Sequence, residues 1–309
     1  MNNIYDMIII GSGPAGMAAA IYAQRAMLKT LVIEKDIPGG QVVNTYEVDN
    51  YPGIPDITGF ELSTKMREHA EKLGVEIQSE FVEDVVLDNK IKVVKTSTNE
   101  YQSKTIIIAT GAKWRKVGVK GEQEFTGRGV SYCATCDGAF FRNRTVAVIG
   151  GGDVAVEDAI FLARMCKKVY LLHRRDELRA VKILQENLFK IEKEKLEILW
   201  DTEVQEIIGN DQVEKITVVN NKTNEQKQIE LEGVFVGIGT EPNSELIKDK
   251  VKCDDNGYVI TDEAGETSVK GVYAAGDVKQ KSLRQIITAA ADGATSVYAA
   301  ERYILENFS

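Results

Sequence analysis

The sequence predicts an α/β protein built from two Rossmann-like (three-layer ββα) nucleotide-binding domains, one inserted into the other. Three observations predict it. A fingerprint of the form G-x-G-x-x-G/A occurs twice, at 11–16 and at 150–155. Each copy has an apolar, β-rich run before it, a helical stretch after it and a second apolar run at the same offset. Beyond residue 240 a related strand–glycine–helix pattern resumes, as if the first domain had been interrupted. The 309 residues fit two domains, since a domain typically takes ~150.

Tyr5–Ile10 reads as a buried parallel strand, followed by Gly11-Ser12-Gly13-Pro14-Ala15-Gly16, a helix from Met17 to Leu28 and a strand from Thr30 that ends at Glu34. Gly11 makes the tight turn, Gly13 lets a pyrophosphate approach the backbone, and Gly16 lets helix and strand pack closely. The helix N-terminus, with its free N–H groups and dipole, favours that anion. Glu34 stands where a carboxylate accepts hydrogen bonds from a ribose diol. Next, Gly39-Gly40-Gln41 and Asn50-Tyr51-Pro52-Gly53 are turns, and Lys104–Ala109 is a strand closing on Thr110-Gly111.

The second unit runs Thr145–Ile149, Gly150-Gly151-Gly152-Asp153-Val154-Ala155, a helix from Val156 to Cys166 and a strand from Val169 to Leu172. At the position equivalent to Glu34 it carries His173, followed by Arg174, Arg175 and Arg179. A carboxylate there repels a ribose 2′-phosphate, whereas guanidinium groups bind one through charge-assisted bonds. The first site therefore suits an unphosphorylated adenosine ribose and the second suits NADPH, unless the arginines are only a solvated basic helix start. Ala180–Leu196 reads as a helix with a solvated Lys/Glu face, and 215–219 and 234–238 as later strands. The first domain resumes with a strand at Gly271–Ala275, Gly276-Asp277 and a helix over Arg284–Tyr303. Asp277 can take a hydroxyl of a ribityl chain, or cap a turn. The start of the last helix can offer N–H groups to the pyrimidine end of a flavin. These readings give domains at 1–114 with 242–309, and at 115–241, joined by turn-like connectors at Ala112–Val119 and Gly239–Asn243.

Cys133 and Cys136 form a C-x-x-C just before the second fingerprint, followed by Asp137-Gly138. Such pairs contain a thiol of depressed pKa and exchange with other disulfides. Asp137 either donates a proton to a departing thiolate or simply forms a turn with Gly138. Zinc needs two more ligands, and Cys166, Cys253, His69 and His173 lie in unrelated stretches, so no metal is expected. A structural role for so short a disulfide loop is weak, because it removes little unfolded-chain entropy. A nicotinamide hydride donor, a flavin and a dithiol then form one circuit ending on an external disulfide. A non-catalytic nucleotide sensor, needing neither flavin nor reactive cysteines, is the rival reading from outside the enzymes.

The net charge of −9, from 38 basic and 47 acidic residues, argues against nucleic acid or an anionic membrane as partner. No apolar run approaches the ~18 residues of a transmembrane helix. Met1–Ile10 has no Lys or Arg and carries Asp6, unlike a basic leader, so a cytoplasmic location is expected.

With GSGPAG at 11–16, GGQ at 39–41, ATG at 109–111, CATCDG at 133–138, GGGDVAVE at 150–157, HRRDELR at 173–179 and AAGDV…RQI at 274–286, the chain resembles the low-molecular-weight, bacterial-type thioredoxin reductases over essentially its whole length. The resemblance implies a homodimer, FAD in the split domain, NADPH in the insert, oxidised thioredoxin as substrate and rotation of the insert between half-reactions. Candidate FAD residues are Gly11, Ser12, Gly13, Pro14, Ala15, Gly16, Glu34, Gly40, Gln41, Asn50, Ala109, Thr110, Gly111, Gly276, Asp277, Arg284, Gln285 and Ile286. Candidate NADPH residues are Gly150, Gly152, Asp153, Val154, His173, Arg174, Arg175 and Arg179. Asp153 and Val154 depart from the Asn and Thr often found in the family, and the added carboxylate is expected to weaken NADPH slightly. HRRDELR speaks against a relative that draws electrons from ferredoxin.

Overall fold

A computed structural model describes residues 4–45 and 47–308; Met1–Asn3, the head of the segment weighed as a leader, lie outside the described residues. In chain order the elements are β1 (Tyr5–Ile10), α1 (Pro14–Arg25), β2 (Thr30–Glu34), α2 (Gly59–Lys72), β3 (Glu76–Ser79), β4 (Val82–Val86), β5 (Lys92–Thr96) and β6 (Glu100–Ile108). The connector strand β7 (Ala112–Trp114) leads to β8 (Val130–Ser131), α3 (Ala134–Asp137), β9 (Thr145–Ile149), α4 (Asp153–Ala163), β10 (Lys168–Leu172) and α5 (Lys182–Phe189). Then come β11 (Leu196–Leu199), β12 (Thr202–Gly209), β13 (Val213–Asn220), β14 (Gln226–Glu230) and β15 (Gly233–Val236). The return connector β16 (Thr240–Pro242) pairs with β7, and β17 (Val272–Ala274) and α6 (Ile286–Phe308) close the chain. Two compact units result: Met1–Lys113 with Glu241–Ser309, and Trp114–Thr240.

In the split unit the sheet order is β3-β2-β1-β6-β5-β4, with β17 also on β6. β1, β2, β3, β6 and β17 run parallel, while β4 and β5 form an antiparallel meander off the first half of β6. Side chains alternate along a strand, so each central strand supplies two cores. Met7, Ile9, Val32 and Ile107 pack under α1 and α6, whereas Ile8, Ile10, Leu31, Ile33, Ile106 and Ile108 pack on the opposite face. A strand buried on both faces must be continuously apolar, as YDMIII nearly is.

The contiguous unit has a parallel sheet of order β11-β10-β9-β15-β8 and an antiparallel sheet of order β12-β13-β14. Val146 and Val148 pack with α4 and α5 residues such as Val156, Leu162 and Leu188. Ala147 and Ile149 pack with Val204, Ile216 and Val218 of the antiparallel sheet. Helices, parallel sheet and antiparallel sheet are the three layers expected.

Four helices differ from the sequence reading. Those read over 17–28 and 156–166 each start and end three residues earlier, at Pro14–Arg25 and Asp153–Ala163, because the helix begins inside the glycine fingerprint. The single helix expected over 180–196 is the shorter α5, and Leu196 opens the strand β11 instead. After Phe189 the Lys/Glu run has no apolar stripe to bury, whereas Leu196–Leu199 pairs with Val169–Leu172. The last helix begins at Ile286, not Arg284, because Thr288 Oγ1 accepts the Gln285 N–H at 3.1 Å and sets the first turn there.

α1 and α6 cross closely over Gly293, where a Cβ would lie 2.1 Å from the Ala15 carbonyl oxygen. Helix propensity alone would make Gly293→Ala stabilising by about 1 kcal/mol. Overpacking costs about 1–3 kcal/mol and opposes it, the more so because the obstacle is backbone. We expect net destabilisation of the split unit on the order of 2 kcal/mol. Both tryptophans, Trp114 and Trp200, lie in the other unit. The far-UV circular dichroism transition in urea should therefore shift to lower denaturant while tryptophan fluorescence moves less.

Candidate functional site

The first fingerprint is held by backbone contacts no side chain could share. Gly11 has φ +103°, and a Cβ there would sit 2.4 Å from the Ala109 carbonyl oxygen. A Cβ on Gly16 would sit 1.9 Å from the Gly11 oxygen. Gly13 precedes Pro14, the first residue of α1, where a missing N–H costs nothing. Gly40 (φ +63°) packs on Gly13, for a Cβ on Gly40 would meet Gly13 Cα at 3.0 Å, and Gly39 N–H donates to the Ser12 oxygen at 3.1 Å. Gln41 is exposed beside this turn. Glu34, the residue expected to meet a ribose, braces the loop. Its Oε2 accepts Ser12 N–H at 2.8 Å and Ser12 Oγ–H at 2.6 Å, and its Oε1 accepts Asp36 N–H at 3.0 Å.

Distant segments join this end of the split unit. Asn50 Nδ2 donates to Gln285 Oε1 at 3.0 Å, linking two candidates far apart in sequence. Thr110 Oγ1 donates to the Asn243 oxygen at 2.7 Å, Asn243 Nδ2 to the Thr110 oxygen at 2.8 Å, and Asn243 N–H to the Gly111 oxygen at 2.9 Å. Asn243, a connector residue in the sequence, clamps Thr110-Gly111. Asp277 Oδ1 and Arg284 Nε are buried and accept or donate no hydrogen bond. Asp277 Oδ1 is 3.1 Å from Lys281 Nζ, an ion pair without hydrogen-bond geometry, and the Arg284 guanidinium lies 4.1 Å from the Tyr258 ring centre. Ile286 opens α6 beside them. Buried polar atoms left unsatisfied call for a missing partner. These two fit a flavin with polar hydroxyl and pyrimidine groups.

In the contiguous unit, Gly150 has φ +147°, and a Cβ there would meet the Gly237 oxygen at 2.6 Å. Gly151 lies on the His173 ring, 2.2 Å from Nδ1 for an added Cβ. Gly152, preceding α4, has open space where its Cβ would be. His173 Nε2–H donates to the Glu177 oxygen at 2.8 Å; burial pushes its pKa below the ordinary histidine value, against that hydrogen bond and with smaller help from the three arginines. Arg174, Arg175 and Arg179 are exposed, and among the described residues none of their guanidinium groups has a partner. That is the donor set a 2′-phosphate requires. Asp153 Oδ1 accepts Val181 N–H at 2.8 Å, so its carboxylate has a local role at the start of α5; Val154 is exposed beside it.

Cys133 and Cys136 are joined as a disulfide with Cα atoms 5.3 Å apart. Cys133 precedes α3, and its oxygen accepts the N–H groups of Cys136 and Asp137 at 3.2 and 3.1 Å. Thr135 Oγ1 lies 3.4 Å from Cys133 Sγ. Burial pushes the Asp137 carboxyl above its ordinary value, opposed by Ser131 Oγ–H, which donates to Oδ2 at 2.5 Å. Ser131 also accepts Cys133 N–H at 3.1 Å, so one hydroxyl, unnoticed in the sequence, positions both cysteine and acid. Tyr132 OH donates to Glu122 Oε1 at 2.9 Å, and Glu122 accepts Val117 and Gly118 N–H groups, tying the dithiol segment to the base of its connector. The two other thiols are pushed up by burial, Cys166 to about 11. Among the described residues no His/Cys/Asp/Glu group could hold a metal.

Residues 5–293 match the family model for pyridine nucleotide-disulphide oxidoreductases. The chain belongs to this family. It is 49% identical to a thioredoxin reductase of Peptoclostridium acidaminophilum, covering 100% of this chain and 99% of that protein. It is 48% identical to a thioredoxin reductase of Bacillus subtilis strain 168, covering 98% and 96%. The crystal structure of thioredoxin reductase from Streptococcus pyogenes superposes with a TM-score of 0.94 at 48% identity, covering 100% of both chains. The Cys133–Cys136 disulfide fits the redox centre of a disulphide oxidoreductase.

One further carboxyl of this oxidoreductase was not singled out from sequence. Asp158 on α4 is pushed up to about 7, chiefly by burial and then by Glu157. A carboxyl whose folded pKa is raised stabilises the fold at low pH and loses that contribution as pH rises through about 7. Asp158→Asn removes the loss. The stability of the variant relative to wild type should therefore grow between pH 5 and pH 8.5, on the order of 2 kcal/mol, in urea titrations followed by tryptophan fluorescence.

Proposed function

We propose that the chain is an NADPH-dependent, FAD-containing disulfide reductase acting on oxidised thioredoxin. The observation that carries this reading is a C-x-x-C disulfide and an arginine-bearing dinucleotide fingerprint within one compact unit, inserted in a second unit with its own fingerprint. The relatives named thioredoxin reductase support the substrate.

In the split unit, the N–H groups at 11–16 and the Gly40-Gln41 turn would take the diphosphate, and Glu34 the adenosine ribose. Asn50, Ala109, Thr110 and Gly111 would line the flavin's path. Gly276 and Asp277 would take the ribityl hydroxyls, and Arg284, Gln285 and Ile286 the pyrimidine end. In the contiguous unit, 150–154 would hold the NADPH diphosphate, and His173 with the three arginines the phosphorylated ribose. When bound, FAD accepts a hydride from NADPH and makes two electrons available to a disulfide. Those electrons would break the Cys133–Cys136 bond, and Asp137, whose carboxyl burial pushes above its ordinary value, would supply a proton to the departing sulfur. One cysteine thiolate then attacks the thioredoxin disulfide, and the other resolves the mixed disulfide. The sum is NADPH, one proton and a disulfide giving NADP⁺ and a dithiol.

The dithiol and the nicotinamide site share one unit, and both cannot occupy the reacting face of one flavin. The insert would therefore rotate on its connectors, and the likeness to thioredoxin reductases supports a homodimer. Among the described residues no helix is long and apolar enough to cross a membrane, and the acidic surface suits the cytoplasm.

The purified protein should be yellow and should bleach anaerobically with NADPH; a colourless protein that FAD cannot reconstitute would refute the reading. Cys136→Ser should leave bleaching intact and abolish thioredoxin reduction. Arg174→Ala with Arg175→Ala should raise KM for NADPH on the order of a hundredfold, from two lost charge-assisted contacts, and leave NADH nearly unchanged. A crosslink joining the two units should stop steady-state turnover.

A further inference from the structure

We propose that Lys281, pinned by Asp292, is the positioning residue that aims Asp277 at the flavin ribityl chain; this rests on the FAD reading above. Asp292 lies in α6, and its carboxylate gathers three donors from the loop after β17. Gly276 N–H donates to Oδ2 at 3.2 Å, Lys281 Nζ to Oδ2 at 3.0 Å and Lys279 Nζ to Oδ1 at 3.3 Å. All three side chains are largely withdrawn from water, at 19% exposure for Asp292, 11% for Lys281 and 12% for Lys279.

The two lysines do different work. Lys279 touches Asp292 alone among the carboxylates, whereas Lys281 Nζ also lies 3.1 Å from Asp277 Oδ1 and 3.4 Å from Thr288 Oγ1. A single ammonium thus joins the Gly276–Val278 turn, the middle of α6 and its first turn, where Arg284 and Gln285 enter. Gly276 keeps the turn pressed on α1, since its Cβ would fall 2.8 Å from Ala15 Cβ at φ +77°. Asp277 Oδ1 lies 3.1 Å from Lys281 Nζ yet makes no hydrogen bond, so this buried oxygen is the one left to accept a hydroxyl.

A lysine stem is flexible, and its charge without Asp292 would not select one rotamer. Two carboxylates this near each other also need a cation between them. The arrangement makes an ion pair into an aiming device rather than only a source of stability.

The test measures FAD binding and apoprotein stability separately. Apoprotein is titrated with FAD by quenching of flavin fluorescence, and its thermal unfolding is recorded without FAD. Lys281→Met should raise the FAD dissociation constant on the order of tenfold, and Lys281→Arg should recover most of it. Lys279→Met, which removes an equally buried cation from the same Asp292, should stay within about twofold of wild type. Should Lys281→Met not fold, Lys281→Gln replaces it, because its amide can still donate to Thr288 Oγ1 while the charge shared by Asp277 and Asp292 is lost; the same weakening is expected. Equal weakening by Lys281→Met and Lys279→Met would overturn the proposal, as would a variant altered only in unfolding temperature. If wild-type apoprotein takes up no FAD, the proposed function fails instead.

Discussion

Each fingerprint depends on backbone lying where a side chain would otherwise be. Gly16 lets α1 ride so low on β1 that a single methyl would sit 1.9 Å from the Gly11 oxygen, and Gly150 and Gly151 do the same against Gly237 and the His173 ring. Lifting either helix by the width of a methyl would carry its N-terminal N–H groups away from the strand end. The anion site proposed above would be made of those N–H groups and the helix dipole, so the close approach and that site would be one feature. The surrounding contacts all brace it: Glu34 on Ser12, Gly40 on Gly13, Ala109 behind Gly11.

The two sites then differ by charge alone. After β2 the chain presents Glu34, whose carboxylate is already held in place by three N–H and O–H donors. After β10 it presents His173, its pKa lowered by burial, and three guanidinium groups that have no partner among the described residues, on a protein whose net charge is −9. Overall acidity says little about a local field when arginines are gathered within seven residues and left without carboxylate partners.

Much of this was legible in the sequence because it is local. The glycine spacing, the apolar strands and the C-x-x-C each sit within a few residues of one another, and the family resemblance rests on them. What was hidden depends on individual side-chain hydrogen bonds, near and far in the chain. Asn243 clamps Thr110 from beyond the insert, Ser131 serves Asp137, and Asp292 reaches back to Lys281; no spacing rule marks such residues. The helix read over 180–196 failed for a related reason. Alternating Lys and Glu look helical, but Leu196 is drawn into a strand by its partner Val169. Glu34 and Asp153 read as ligand-facing charges, whereas Glu34 also accepts Ser12 N–H and Asp153 accepts Val181 N–H at the start of α5.

The interrupted connectivity has a consequence for birth on the ribosome. The stretch 114–240 holds every strand and helix of its own unit, so it can collapse as soon as it emerges. The earlier-made β1 to β6 must wait, because Ile106–Ile108 stay an open edge until β17 arrives and α1 stays half-covered until α6 does. The guest therefore matures before its host, and the nascent chain carries an unpaired apolar edge through most of translation. Chaperone engagement of the emerging polypeptide should concentrate on that first segment.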